Sequence, residues 1–119
     1  CEFWHHGTTG QLPWTRANLL NRLSAEIVVS YLERGRPIPA VVCVAHTHLY
    51  DETSPRSRPR VISCPAWQLA TSWGRSKPSV RRSDIGGVLL NCHDEQLEVQ
   101  VVLYHAKESE VWKSPKLSC

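Results

Sequence analysis

Two groups of histidines are the residues best suited to carry chemistry. His5 and His6 follow a short apolar stretch, and His46 and His48 directly follow the apolar run AVVCVA. In an extended segment, residues two apart point the same way, so His46 and His48 can present both imidazoles to one space. Imidazole is the commonest protein ligand for metals, and Zn²⁺, Mn²⁺ and Fe all accept it. This spacing predicts a metal site; histidines bonded within loops are the alternative.

A stretch of positive charge is the second feature. From Thr53 to Arg82 the chain has seven basic residues and no acidic one, although its net charge is only +3. The asymmetry suggests a local anion site rather than a generally cationic protein, and a solvated basic loop is the alternative. Arg suits bidentate contact with phosphate. The candidate substrate-binding residues are Arg56, Arg58, Arg75, Arg81 and Arg82, with Trp67 and Trp73 available for base stacking or as core residues.

The elements that must position these side chains follow from the hydrophobic pattern. Apolar residues recur at helical spacing from Arg16 to Arg34, which predicts one long amphipathic helix. The run from Ala40 to Ala45 predicts a strand buried on both faces, and residues 60–63 predict a short strand. Residues 51–59 are expected to form a loop. Residues 85–92 predict a strand that contains a Gly pair, and the alternation from Leu97 to Tyr104 predicts a second strand. Together they predict a β-hairpin, so the fold class is α/β with a mixed sheet.

Length and composition limit the remaining possibilities. The 119 residues, 41% of them hydrophobic and 21% charged, suffice for one globular domain. We expect this domain to cover residues 1–105 and an irregular polar tail to cover residues 106–119. No apolar run reaches the ~20 residues of a membrane span. Five cysteines without a CxxC motif favour a reducing compartment, and hence a cytoplasmic protein. Because residue 1 is Cys rather than Met, we expect a mature form or a fragment.

Four stretches resemble the C-terminal half of the calcineurin-like metallophosphoesterases, of the type common in phages and prophages: FWHHGTTGQLPWTRANLLNRLSAEI, VVCVAHTHLYDE, RVISCPAWQLATSWG and SDIGGVLL. The resemblance covers most of the chain and implies part of that family's mixed β-sheet sandwich. It implies that His5 and His46 bind one metal of a binuclear pair and that His48 binds the other. The expected ions are Mn, Fe, Zn or Ni. Ala45 stands where the family usually has Gly.

The family's D-x-H, G-D-x-x-D and G-N-H-(D/E) motifs do not occur in this sequence. They supply the carboxylate that bridges the metals, and two divalent ions about 3.5–4 Å apart repel strongly without it. We therefore expect this chain alone to bind one metal weakly or none, and to be inactive. The predicted function is metal-dependent hydrolysis of a phosphodiester or nucleotide, with the carboxylates supplied by an N-terminal half or another chain.

Two alternatives stay open. A non-catalytic fragment or descendant would expose the edge of its sheet, which invites pairing into homo-oligomers or filaments. A nucleic-acid-binding module would use the basic stretch and the tryptophans, although the isoelectric point of about 8.7 is below the value above 9 typical of such domains.

Overall fold

The computed structural model describes residues 1–5, 15–67, 84–94 and 96–104. Along the chain the elements are β1 (Glu2–Trp4), α1 (Arg16–Glu33), β2 (Val41–Val44), β3 (Asp51–Glu52), β4 (Arg60–Ser63), β5 (Ile85–His93) and β6 (Gln96–Tyr104). The fold is therefore α/β. Of the helical residues described, none forms a stretch long and apolar enough to traverse a bilayer.

A four-stranded mixed sheet forms the centre of the molecule, in the order β1-β2-β4-β3. Strands β1, β2 and β4 run parallel, and β3 runs antiparallel to β4. Strands β5 and β6 form a separate antiparallel hairpin in register from Ile85 opposite Tyr104 to His93 opposite Gln96. Asp94 in the hairpin turn has a positive φ of 39°, a conformation that Asp tolerates better than most residues.

Helix α1 covers one face of the mixed sheet. Its fully buried Leu20 and Ile27 pack with Val42 and Val44 of β2 and with Val61 of β4. Burying one such side chain contributes about 1.5–3 kcal/mol. The buried Ser24 hydroxyl also donates a hydrogen bond of 2.8 Å to the carbonyl of Pro59, just before β4. These contacts fix the helix over β2 and β4.

The hairpin covers the opposite face of the mixed sheet. Val41, Cys43 and Ile62 are buried there against partly buried apolar side chains of β5 and β6, namely Val88, Leu90, Leu97 and Val99. All four residues of β2 are buried. A strand enclosed on both faces explains the continuous apolar run in its sequence.

The sequence predictions for the helix, the buried strand and the hairpin are confirmed, with α1 ending at Glu33. The prediction of a loop over residues 51–59 is wrong at its start, because Asp51 and Glu52 pair with β4. A two-residue strand has too little pattern to be recognised in the sequence. This short strand reverses the chain direction, which decides where the following arginines lie.

Candidate functional site

The candidate site lies at the carboxyl edge of the parallel strands. His5 follows β1, the segment with His46 and His48 follows β2, and Cys64 follows β4. Because these three strands are parallel neighbours, their carboxyl ends meet at one edge. Backbone bonds continue the ladder past the strand ends, from the Ala45 N–H to the Trp4 carbonyl at 3.0 Å and from the Cys64 N–H to the Val44 carbonyl at 2.8 Å. This is the edge at which open α/β sheets bind ligands.

The rings of His5 and His46 come together across this edge. Their centroids are 5.4 Å apart and their planes meet at 65°. With metal–nitrogen bonds of about 2.0–2.1 Å, two imidazoles on one tetrahedral ion would have centroids about 5.3 Å apart. The observed separation therefore fits two ligands of a single ion, and it is equally ordinary for an edge-to-face ring pair.

The backbone carrying the histidines has an unusual conformation. His46 and His48 have positive φ angles of 84° and 57°. His is among the non-glycine residues enriched in this region, but the conformation still costs an L-residue about 1–2 kcal/mol. Such strain persists only where the surroundings hold it, and it concentrates at functional sites.

Ser63 and Asp84 supply that support. Ser63 is fully buried, and its Oγ donates to the Leu49 carbonyl at 2.7 Å and lies 2.8 Å from the Thr47 Oγ1. The Asp84 carboxylate accepts the Tyr50 N–H at 2.8 Å, and the Asp84 N–H donates to the His48 carbonyl at 2.9 Å. Neither residue is marked as functional by the sequence pattern. Both act across many positions of the chain, which local spacing does not reveal.

His48 is half-buried and lies two residues beyond His46. Its predicted role as ligand of a second metal stays a prediction. Within the described ranges, no group of three or more His, Cys, Asp or Glu side chains is arranged to hold a metal ion. The described residues thus offer a pair of imidazoles rather than a complete ligand set.

Arg56 and Arg58 do not lie at the carboxyl edge of the sheet, where His5, His46 and His48 are found. Strand β3 runs antiparallel to β4 and carries the chain from the carboxyl edge to the amino edge, so residues 53–59 precede β4 at the opposite end. The Arg58 guanidinium donates to carbonyls of its own loop, at 3.3 Å to Pro55 and 3.0 Å to Ser57. The prediction that these two arginines bind the substrate of the histidine site is therefore not supported by the topology. A run of basic residues in the sequence does not show at which end of the sheet those residues will lie.

The other residues of the stretch from Thr53 to Arg82 are either engaged in the sheet or outside the described residues. Arg60 forms an ion pair with Glu52 at 2.5 Å between neighbouring strands, and both side chains are mostly buried. Of the remaining predicted substrate-binding residues, four lie outside the described residues: Arg75, Arg81, Arg82 and Trp73. Their roles stay predictions.

Trp67 is described and lies on the surface. It is 71% exposed, and its ring packs against that of Tyr104 with centroids 5.1 Å apart. The exposure argues against the alternative that Trp67 fills the core. Tyr104 was not identified from the sequence, where it is simply the end of an alternating strand.

A pair of cysteines lies near the carboxyl ends of β2 and β4. Cys43 is buried on β2, and Cys64 is partly buried on the same side. The thiol of Cys43 donates a hydrogen bond to the Cys64 sulfur, which raises the pKa of Cys43 and lowers that of Cys64. Burial adds to the rise at Cys43 and opposes the fall at Cys64. Both thiols are free.

Comparison with family models, with curated proteins and with solved structures finds no match to this chain.

Proposed function

We propose that this chain is the C-terminal part of a metal-dependent phosphoesterase of the calcineurin-like type, in which His5 and His46 bind one ion of a binuclear pair. The observation that carries the proposal is the 5.4 Å separation of these two rings. Two parallel strands deliver them, on a backbone that is left-handed at His46. The helix–sheet–hairpin layering is compatible with half of the layered β-sandwich of that family.

Each described group has a distinct part in this proposal. His5 and His46 bind through ring nitrogens, so the site requires neutral imidazoles. Ser63 and Asp84 hold residues 47–50, directly after His46, through the hydrogen bonds described above and so restrict where His46 lies. When bound, the metal pair supplies a hydroxide at neutral pH and neutralises charge on the phosphate. The substrate class is a phosphodiester or nucleotide.

The described residues fit one ion better than two. Two imidazoles are neutral ligands, and a pair of divalent ions needs carboxylates between and around them. The carboxylates must come from a preceding half of the protein or from a second chain. The proposal therefore includes weak metal binding and no hydrolysis by these 119 residues alone.

Complementation tests this function. The chain is assayed for hydrolysis of bis(p-nitrophenyl) phosphate with Mn²⁺, alone and together with the segment encoded upstream of it in the reading frame. We expect turnover only with both segments. His46→Ala should abolish turnover, and His93→Ala should leave it intact, because His93 is an exposed histidine at the turn of the hairpin. Turnover that survives His46→Ala would contradict the proposal, and so would inactivity of the combined protein.

A second candidate function, self-assembly, is favoured by the exposed edge strand. Within the described parts of the chain, no strand pairs with the outer edge of β1. Phe3 lies at the centre of β1 and is 73% exposed. An open edge with an exposed aromatic side chain is suited to pairing with another copy. Light scattering tests it: a mass that rises with concentration, and that Phe3→Arg reduces to the monomer, would support assembly.

A further inference from the structure

The cysteine pair Cys43–Cys64 is a feature that the proposed metal site does not use. Cys43 lies opposite Ile62 in the register of β2 and β4, and the Cys64 N–H continues this ladder by donating to the Val44 carbonyl at 2.8 Å. Residues two apart on an extended segment point to the same face, so Cys64 shares the face of Ile62. Both cysteines pack in the cluster beneath the hairpin. The backbone therefore makes the two thiols neighbours on one face of the sheet.

The two thiols differ in their access to solvent. Cys43 is only 3% exposed, whereas Cys64 is partly buried just beyond the end of β4. The hairpin side chains packed against the pair are apolar, namely Val88, Leu90, Leu97 and Val99. A reagent from solvent can therefore reach the sulfur of Cys64 but not that of Cys43.

The hydrogen bond between the thiols has a direction. The Cys43 S–H donates and the Cys64 sulfur accepts, which lowers the pKa of Cys64 although its burial acts the other way. Arg60 and the N-terminal amine act on Cys43 through their positive charge, and Tyr50 packs beside the pair. Arg60 is itself paired with Glu52. Because the thiolate is the nucleophilic form of cysteine, the more accessible sulfur is also the one that the hydrogen bond activates.

The offset between the two residues argues against a disulfide within the pair. Cys43 lies opposite the residue two positions before Cys64. Neighbouring strands lie about 4.8 Å apart and each residue advances about 3.3 Å, so this offset puts the two Cα atoms about 8 Å apart. Cysteines more than about 7 Å apart cannot be bridged without backbone movement. Cys43 therefore serves Cys64 as a hydrogen-bond donor rather than as the second half of a disulfide.

We propose that Cys64 is a site of reversible modification by small disulfides, of the class of oxidised glutathione. The Cys64 thiol loses its proton to water, and the thiolate attacks one sulfur of the reagent. A new S–S bond joins Cys64 to half of the reagent, the reagent's own S–S bond breaks, and the other half leaves as a thiolate that recovers a proton. Cys64 is thereby oxidised and the leaving half is reduced. Cys43 keeps its proton and acts as a positioning residue.

Peptide mapping by mass spectrometry tests the site on the wild-type chain. The protein is exposed briefly to limiting oxidised glutathione at neutral pH in EDTA, and the remaining thiols are then blocked. We expect the mixed disulfide on Cys64 and none on the buried Cys43. Cys92 is the matched control, because it is an exposed thiol on the hairpin. Modification of Cys64 ahead of Cys92 would show that reactivity follows the hydrogen bond rather than exposure.

The pH profile of the reaction tests the role of Cys43. Rates at Cys64 are measured in a background carrying Cys1→Ser, Cys92→Ser and Cys119→Ser. In that background, Cys43→Ala removes the donor and should move the half-maximal rate to higher pH. At neutral pH it should slow the reaction by about 2- to 4-fold, because the lost thiolate is partly offset by its greater nucleophilicity. Cys43→Ser keeps a hydroxyl donor and should stay close to the background rate.

Three outcomes would overturn the modification site. One is an adduct that forms on Cys92 before Cys64. Another is a disulfide between Cys43 and Cys64 in place of the adduct. The third is a pH profile that Cys43→Ala leaves unchanged. The mapping uses no variant, so it remains decisive if a substitution disturbs folding. The reaction needs neither a metal nor a second segment, so its failure and that of the proposed phosphoesterase are independent.

Discussion

His46 offers a direct test of the strained backbone at the candidate site. Both His46→Gly and His46→Ala remove the imidazole and its contact with His5, so the two variants differ only in the Cβ. At φ 84° the Cβ costs about 1–2 kcal/mol. Glycine loses about 0.5–1 kcal/mol more conformational entropy on folding. We therefore expect His46→Gly to be more stable than His46→Ala by about 0.5–1 kcal/mol.

Thermal unfolding followed by circular dichroism measures this difference. For a domain of this size, 1 kcal/mol corresponds to about 4–8 °C in Tm, so the glycine variant should melt about 2–8 °C above the alanine variant. Gly35→Ala calibrates the comparison, because Gly35 has φ 61° and open space around its Cβ position. It should lower Tm by a similar amount. If Gly35→Ala behaves as expected and the two His46 variants melt together, residue 46 is not left-handed and the strain argument is wrong.

Three further perturbations follow from individual contacts. Ser63→Ala leaves the Leu49 carbonyl without its buried donor and should lower the free energy of unfolding in urea by about 1–3 kcal/mol. Gly86→Ala would put a Cβ 2.0 Å from the Val102 carbonyl oxygen; it should cost about 1–3 kcal/mol or more, whereas Gly87→Ala should be far milder. A hydrogen bond from Tyr31 lowers the pKa of Glu2 below its ordinary 4.5, so the stability from this contact is complete above that pH and is lost as pH falls through the lowered value. Tm measured against pH should therefore fall less steeply at acid pH for Glu2→Gln than for wild type.

The parts of the fold with a repeated pattern could be predicted from the sequence. Helix α1 shows helical spacing over 18 residues, and strand β6 of the hairpin alternates along most of its nine residues. Strand β2 is recognisable because a strand covered by α1 on one face and the hairpin on the other has no polar positions. Strand β3 has only two residues, so no periodicity marks it.

The candidate site was only partly predictable from the sequence, because some of its residues act through contacts between distant parts of the chain. Apolar strands ending at histidines indicate where His5 and His46 lie, because parallel strands bring their carboxyl ends to one edge. The side of the sheet that Arg56 and Arg58 occupy depends on the reversal at β3, which the sequence does not signal. Asp84 and Tyr104 act through contacts with residues more than thirty positions away. Such contacts become visible only when the hairpin is placed on the sheet.

The most direct test of the metal site is a zinc titration followed through the ring nitrogens of the histidines by ¹⁵N NMR. The account predicts that His5 and His46 respond together, with one shared dissociation constant, while the exposed His93 stays unchanged over the same range. In His46→Ala, the response of His5 should be lost. If His5 and His46 do not respond, or respond independently of each other, the pair is only a ring contact between the segments that follow β1 and β2, and the proposed metal site is wrong.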